Sequence, residues 1–412
     1  MRGGAIVFQS GVVDEEPKLL SFPFAWGGKY GIMDGDFRCT RGSMDSLRFF
    51  LPTTIESGPN CVRLAAERWV CGSKALLVTG RGGAAASGAL ADAQAALEAR
   101  GAEWTLFDGI SANPDADQIY AGVARAKEAG CDFVVGIGGG SPLDAAKAIA
   151  WAVGTEVPQE RFFRMRPEPG DRTLPIVAIP TTCGTGSEVT PYSIITDHQA
   201  KTKKNVSGPS LFPRTALLDA RYLSSLPPAV LCDTALDALS HAIEGAYSPR
   251  CSRFTEALAL EAVRTIVPEL VRMAHGVFVN LAQLQYAAAV AGVVIAQTGT
   301  GLVHAMGYPL TYYKGIPHGR ANGILLAGYL DFMARPCAAL TERLLGAANL
   351  GSSEELHGLV DALLDTMGTT PEAPSEDELT RYTREPLRLE LVRRYRTMPS
   401  PEEVMDIYRT GF

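Results

Sequence analysis

The sequence predicts an N-terminal α/β dinucleotide-binding domain around a doubly wound, mostly parallel sheet, followed by an all-α C-terminal domain. Three observations predict it. Strand-like and helix-like stretches alternate over the first half with a period of about thirty residues, as βαβ units do. After about residue 222 the strands stop and long runs of helical period take over. The chain has 412 residues, which is more than one ordinary domain needs.

Residues 1–43 show neither alternation nor helical period and are broken by glycines, so they are expected to form a poorly ordered extension. The α/β domain is expected over 44–222. In SLRFFLPTTIESGPN (46–60) a short strand and a turn lead to a helix from Cys61 to Trp69. KALLVT (74–79) is a buried strand; Gly80-Arg81-Gly82-Gly83 and an Ala-rich helix ending at Gly101 follow. EWTLFD (103–108) is the next strand. Asn113-Pro114 then opens a helix that stops at Gly130, proline being suited to the first helical position. DFVVG (132–136) and LPIVAIP (174–180) complete the series. The helical domain is expected over 223–412, with helices in Thr255–Ala274, Leu281–Gln297, Ala338–Leu350 and Pro401–Arg409.

Composition narrows the function. Lys and Arg number 38 against 45 Asp and Glu, a net charge of -7, and they are scattered. That pattern excludes a nucleic-acid footprint and a membrane-surface anchor. Eight cysteines stand far apart with no CxxC, which fits reduced thiols and a cytoplasmic location. The apolar stretch Tyr286–Ala296 is about half of the ~20 residues a membrane span requires, so it reads as a buried helix.

Two polar loops carry the first chemical signal. DFVVGIG runs into Gly138-Gly139-Gly140-Ser141-Pro142 and then a helical LDAAKAIAWAV. Three glycines admit a ligand close to the backbone. With Ser141 as N-cap and Pro142 in the first turn, free amides at the helix start can hold a pyrophosphate. A glycine run alone also fits an ordinary tight turn. The second loop, Pro180-Thr181-Thr182-Cys183-Gly184-Thr185-Gly186-Ser187-Glu188, offers hydroxyls and glycines at the end of the next strand. Two such loops at neighbouring strand ends favour a dinucleotide.

Histidines are scarce, six in all, and three of them sit in apolar, Gly-punctuated segments. Asp237 and His241 in LDALSHAIEG are four apart and share a helix face. His304 lies in GLVHAMGYPL and His318 in GIPHGRANG. One carboxylate and three imidazoles suit Fe(II) or Zn(II), although any one of these histidines alone would also fit a core position.

GGGSPLDAAKA (138–148), PTTCGTGSEVT (180–190), DALSHAIEG (237–245) and the pair HAMGYPL and PHGRANG resemble the iron-containing (group III) alcohol dehydrogenases. The resemblance runs from about Met44 to Phe412. It includes the separations of 63 residues from His241 to His304 and 14 from His304 to His318. It implies the dehydroquinate synthase-like fold, with Asp237, His241, His304 and His318 as metal ligands. It also implies that Gly139, Gly140, Ser141, Asp144, Thr181, Thr182, Thr185 and Lys203 meet the cofactor; Gly80, Arg81 and Asn113 complete that set. The implied activity is hydride transfer between NAD(P)(H) and a small alcohol or aldehyde in an interdomain cleft, with Fe(II) or Zn(II) polarising the carbonyl oxygen. A homodimer is implied as well.

Two positions depart from the family pattern. Many members carry a second histidine four residues after the third ligand; here Tyr308 stands there and is the candidate proton relay. NAD-using members often carry an acidic residue after the first cofactor strand; here that place is Gly80-Arg81, which predicts NADP(H) in preference to NAD(H). The competing readings are a zinc glycerol dehydrogenase-like enzyme and a dehydroquinate synthase-like lyase. The lyase would need a basic cluster for a substrate phosphate, and the segment between His304 and His318 offers only Lys314.

Overall fold

Strands β1 (Thr54–Ser57), β2 (Lys74–Gly80), β3 (Glu103–Ile110), β4 (Phe133–Gly138), β5 (Ile176–Pro180) and β8 (Thr215–Leu218) form one parallel sheet in the order β1-β8-β5-β4-β2-β3. A separate antiparallel hairpin joins β6 (Tyr192–Asp197) to β7 (Thr202–Ser207). This computed structural model describes residues 48–200, 202–389, 392 and 398–412. The expected extension 1–43 lies outside them.

The central strands are the apolar runs of the sequence, and β4 is buried at all six of its residues. Successive side chains of a strand point to opposite faces. Leu76, Val78 and Val134 accordingly enter one core with helices α5 (Ala116–Ala129) and α6 (Gly140–Gly154). Ala75, Leu77, Phe133 and Val135 enter the other with the short helices α1 (Cys61–Leu64) and α2 (Ala66–Trp69), α3 (Gly83–Ala86) and α4 (Ala89–Ala99). Helices on both faces are the doubly wound arrangement. From β2 the chain steps one way to β3 and then back past β2 to β4. This reversal makes a switch point at the carboxyl ends of β2 and β4, where open α/β sheets place their ligands.

Beyond β8 the described chain is helical: α7 (Pro228–Tyr247), α8 (Arg253–Ala274), α9 (Leu281–Thr298), α10 (Leu302–Lys314), α11 (His318–Ala348), α12 (Ser353–Thr366), α13 (Glu376–Arg384) and α14 (Pro401–Gly411). They share one apolar core. The helix expected over 338–350 is the far half of α11, which kinks at Pro336-Cys337. Helices α9 and α11 are long and apolar enough to cross a membrane by length and composition, yet 61% and 67% of their apolar windows are buried within the fold. The stretch Tyr286–Ala296 lies in α9, as a core helix.

Two local expectations are corrected. Helix α5 is capped by Asp115, whose carboxylate accepts from the Gln118 amide at 2.9 Å; Pro114 precedes the helix, and Asn113 takes a left-handed φ of 58°. The N-cap of α6 is Gly139, and Ser141 lies within the first turn. The thiols of Cys61, Cys71, Cys131, Cys183, Cys232 and Cys251 are free.

Helix α9 meets the loop after β5 backbone to backbone. A Cβ on Gly292 would stand 2.7 Å from the Gly186 Cα and 2.8 Å from Val189 Cγ2, and Gly186 itself has a φ of 60°. Gly292→Ala should therefore cost about 1–3 kcal/mol through overpacking. Chemical unfolding of the variant checks this, and stability equal to the wild type would show that the two segments can separate.

A candidate metal centre beside a dinucleotide crevice

Helix α7 brings Asp237 and His241 to one buried face, α10 carries His304 in its first turn, and α11 begins at His318. The helices approach closely because α11 turns a glycine toward α7: a Cβ on Gly319 would collide with the Asp233 carbonyl and stand 2.9 Å from Asp237 Cβ. Arg320 locks the same crossing, its Nε and Nη2 donating to the two Asp233 carboxylate oxygens at 2.9 and 3.0 Å.

The imidazoles converge on a single oxygen. Asp237 Oδ1 lies 3.9 Å from His241 Nε2, 3.7 Å from His304 Nε2 and 3.9 Å from His318 Nε2. Ligands about 2.1 Å from a tetrahedral metal would stand roughly 3.4 Å apart, so the cluster is close to that spacing. Asp237, His304 and His318 hold their ligand atoms within 4.8 Å of one another; His241 falls outside that set and approaches through Asp237. Its ring stacks on His304 at 4.8 Å, and its Nδ1 lies 3.3 Å from the Gly184 carbonyl. His304 Nε2 is buried with no hydrogen-bond partner. A buried orphan lone pair facing a carboxylate is what an ion would satisfy, so these residues fit a metal.

Electrostatics agrees with a cation site. Burial alone would raise the Asp237 carboxyl, yet the imidazoles of His241, His318 and His304 hold it below its usual value. Burial drives His318 down to about 3 and lowers His241 too, leaving neutral imidazoles of the kind metals bind. His304 is held above its ordinary value: burial opposes this, but Glu244 and Asp237 outweigh it.

Sequence reasoning missed two residues here. Glu244 is fully buried; one of its oxygens accepts from the Val303 amide at 2.6 Å and the His304 amide at 3.4 Å, and the other accepts a short bond from His304 Nδ1. It caps α10 and orients the imidazole together. Its signal was its place three residues after His241, on the same helix face. Asn322, one turn after His318, donates to Asp237 Oδ1 at 3.0 Å. Tyr308 stacks on His318 with ring centres 5.9 Å apart, and burial pushes its hydroxyl up to about 12.

The cofactor candidates gather at the switch point. Gly80 ends β2 and exposed Arg81 follows it. A Cβ on Gly140 would stand 2.8 Å from Thr185 Cγ2, and one on Gly139 3.2 Å from Thr182 Cγ2, so the glycine turn and the threonine loop are in contact. Thr181 donates its amide to the Gly138 carbonyl at 2.9 Å. The Asn113 amide donates to Ser141 Oγ at 3.3 Å. Asp144 is buried beneath the turn and already engaged, accepting from Ser187 Oγ at 2.5 Å and the Ile194 amide at 2.9 Å. Lys203, on β7, is lowered by burial, against the pull of Asp237 and Asp144. It thus lies near both the crevice and the metal cluster.

Comparison with known proteins matches both halves of the chain. Residues 52–220 match the family described as iron-containing alcohol dehydrogenase, and 231–378 the C-terminal part of the Fe-containing alcohol dehydrogenase family. Lactaldehyde reductase of Escherichia coli (strain K12) is 34% identical over 63% of this chain and 68% of its own. NADPH-dependent butanol dehydrogenase of Clostridium saccharobutylicum is 30% identical over 77% and 82%. Among solved structures, an iron-containing alcohol dehydrogenase of Thermotoga maritima superposes with a TM-score of 0.78 at 33% identity, covering 88% of this chain and 99% of that one. A 1,3-propanediol oxidoreductase gives 0.79 at 28% identity, covering 89% and 100%.

Proposed function

The chain belongs to the iron-containing alcohol dehydrogenase family, and we propose that Asp237, His241, His304 and His318 hold its metal, facing a nicotinamide seated across the glycine turn. The observation that carries this reading is the convergence of three imidazole Nε2 atoms on Asp237 Oδ1. The cleft between the parts is supported by a direct touch: His241 contacts the Gly184 carbonyl of the loop that also offers Thr182 and Thr185. The same reading divides the chain at about residue 222. A homodimer belongs to it through resemblance, and a cytoplasmic location through the scattered cysteines with no CxxC.

When bound, the metal supplies a Lewis acid for a carbonyl oxygen. The residues around it orient and protonate. Free amides at the start of α6 and the hydroxyls of Thr182 and Thr185 hold the dinucleotide, so both reactants are oriented before reaction. Tyr308 keeps its proton at neutral pH and presents an O–H beside His318, the place for a relay to the product oxygen. The substrate is a short aldehyde or its alcohol. The lyase reading loses ground, since Lys314 is spent on Glu378 at 3.2 Å. A panel of short aldehydes and alcohols, run with both cofactors after loading Fe(II) or Zn(II), tests the reading. Protein that takes up neither metal and turns over none of them would overturn it.

NADP(H) is the proposed preference. Gly80 leaves no carboxylate to repel a 2′-phosphate, and the exposed guanidinium of Arg81 can bond it. Gly80→Asp with Arg81→Ala should shift the kcat/KM ratio toward NAD(H) by about 1–3 kcal/mol. The new Cβ fits with slight adjustment, since it would lie 3.3 Å from the Ile110 carbonyl oxygen. A wild type that already favours NAD(H) would refute the assignment.

A further inference from the structure

We propose that Lys147 and Asp144 are positioning residues for hydride transfer: they latch the segment Ser187–Ile194 to helix α6 and so set the separation of the dinucleotide crevice from the metal cluster. Lys147 is fully buried. Its ammonium donates to Ser187 Oγ and the Tyr192 carbonyl, both at 2.7 Å, reaches Thr190 Oγ1 at 3.5 Å, and stands 3.6 Å from Asp144 Oδ1. Asp144 takes the other side of the same segment, from Ser187 Oγ and the Ile194 amide, while Ser193 Oγ donates to its backbone carbonyl at 2.7 Å. Two side chains one turn apart on a single helix thus hold four of the segment's eight residues, and the Asp144 backbone carbonyl holds a fifth.

The latched segment faces three ways. Just ahead of it Gly186 abuts Gly292 of α9. In its middle the Tyr192 hydroxyl donates to the Ile295 carbonyl of α9 at 2.8 Å. At its end it becomes β6, which pairs with β7 so that Thr196 stands opposite Lys203. The glycine turn is the start of the helix that carries the latch. One end of α6 would therefore meet the cofactor, and its next two turns are bonded to the hairpin and to the segment that contacts the helical half. A buried ammonium costs several kcal/mol of desolvation unless it is well bonded. An apolar residue could pack here without that cost, but it could not fix the positions of three oxygens at once.

Hydride transfer depends steeply on this separation: a misplacement of about 1 Å can cost about 10²-fold. The proposal rests on the reading that nicotinamide and metal meet in one cleft, so the test needs a measure that does not use turnover. The full chain and its Lys147→Met and Ser187→Ala variants are loaded with Co(II) and bound to reduced cofactor. Energy transfer from the nicotinamide fluorescence to Co(II) reports their separation. In parallel, kcat and the primary isotope effect with 4-deuterated cofactor are measured with a short aldehyde. Lys147→Met should alter the transfer efficiency, lower kcat by about tenfold or more and raise the isotope effect, with metal content unchanged. Ser187→Ala removes one hydroxyl, keeps the bond from Lys147 to Tyr192, and should shift all three measures less; it decides alone where Lys147→Met does not fold. Unchanged energy transfer and isotope effect, or a loss of kcat that vanishes below the melting transition, would overturn the proposal. A wild type inactive toward every aldehyde would sink the functional reading instead, while the energy-transfer comparison still decides the latch.

Discussion

His304→Ala is expected to yield a folded protein that carries no metal and has lost its activity. Asp237, His241 and His318 would remain, but of the three imidazoles His304 stands nearest to Asp237 Oδ1, at 3.7 Å against 3.9 Å for the other two, so the set loses its tightest pair. Losing only a partner that orients a ligand costs metal sites about 10–100-fold in affinity or activity, and removal of the ligand itself should exceed that. The fold should survive because the dinucleotide half has its own two cores, neither of which includes His304. His275→Ala is the matched control: that histidine is exposed at the end of α8 and should keep metal and activity. Elemental analysis and the circular dichroism of both variants check the expectation. Full metal occupancy in His304→Ala would remove His304 from the site.

How much of this was legible in the sequence follows from how far each signal reaches along the chain. Strands β2, β4 and β5 are apolar runs buried on both faces, and a local window reads them. The hairpin was not legible. YSIITD alternates as a strand should, but its partner TKKNVS is polar throughout except for Val206. The hairpin's first strand is tied to α6, 45 and 50 residues upstream, by Lys147 and Asp144. Strand β8 is four residues long, too short for periodicity to appear. Asn113-Pro114 reads as a helix start because proline tolerates the first turn. The chain instead spends Asn113 on a left-handed turn and lets Asp115 cap, an outcome decided by a hydrogen bond to Gln118. The ligands showed themselves through rarity and spacing. Glu244 did not, because its partner His304 is 60 residues away and a glutamate on a helix face is commonplace.

Glu244→Gln tests how that hidden partner works. One carboxylate oxygen accepts from the amides of Val303 and His304, and the other accepts the Nδ1 proton of His304. All three contacts are donors facing acceptors. Glutamine keeps the volume but makes one of those two positions an NH₂ donor. If the amide nitrogen faces Val303, donors meet donors at the buried start of α10, where an unmet bond costs about 1–3 kcal/mol. If it faces His304 instead, Nδ1 must accept, and the imidazole proton moves to Nε2. That nitrogen is the one aimed at Asp237, and once protonated it cannot bind a metal. Either orientation weakens the site, the first through α10 and the second through the tautomer. Metal affinity should fall about 10–100-fold, as for other histidine ligands that lose their orienting partner. Chelator competition with Zn(II) on metal-free protein measures this without any catalytic assay. An affinity equal to the wild type would mean that Glu244 serves only to cap the helix.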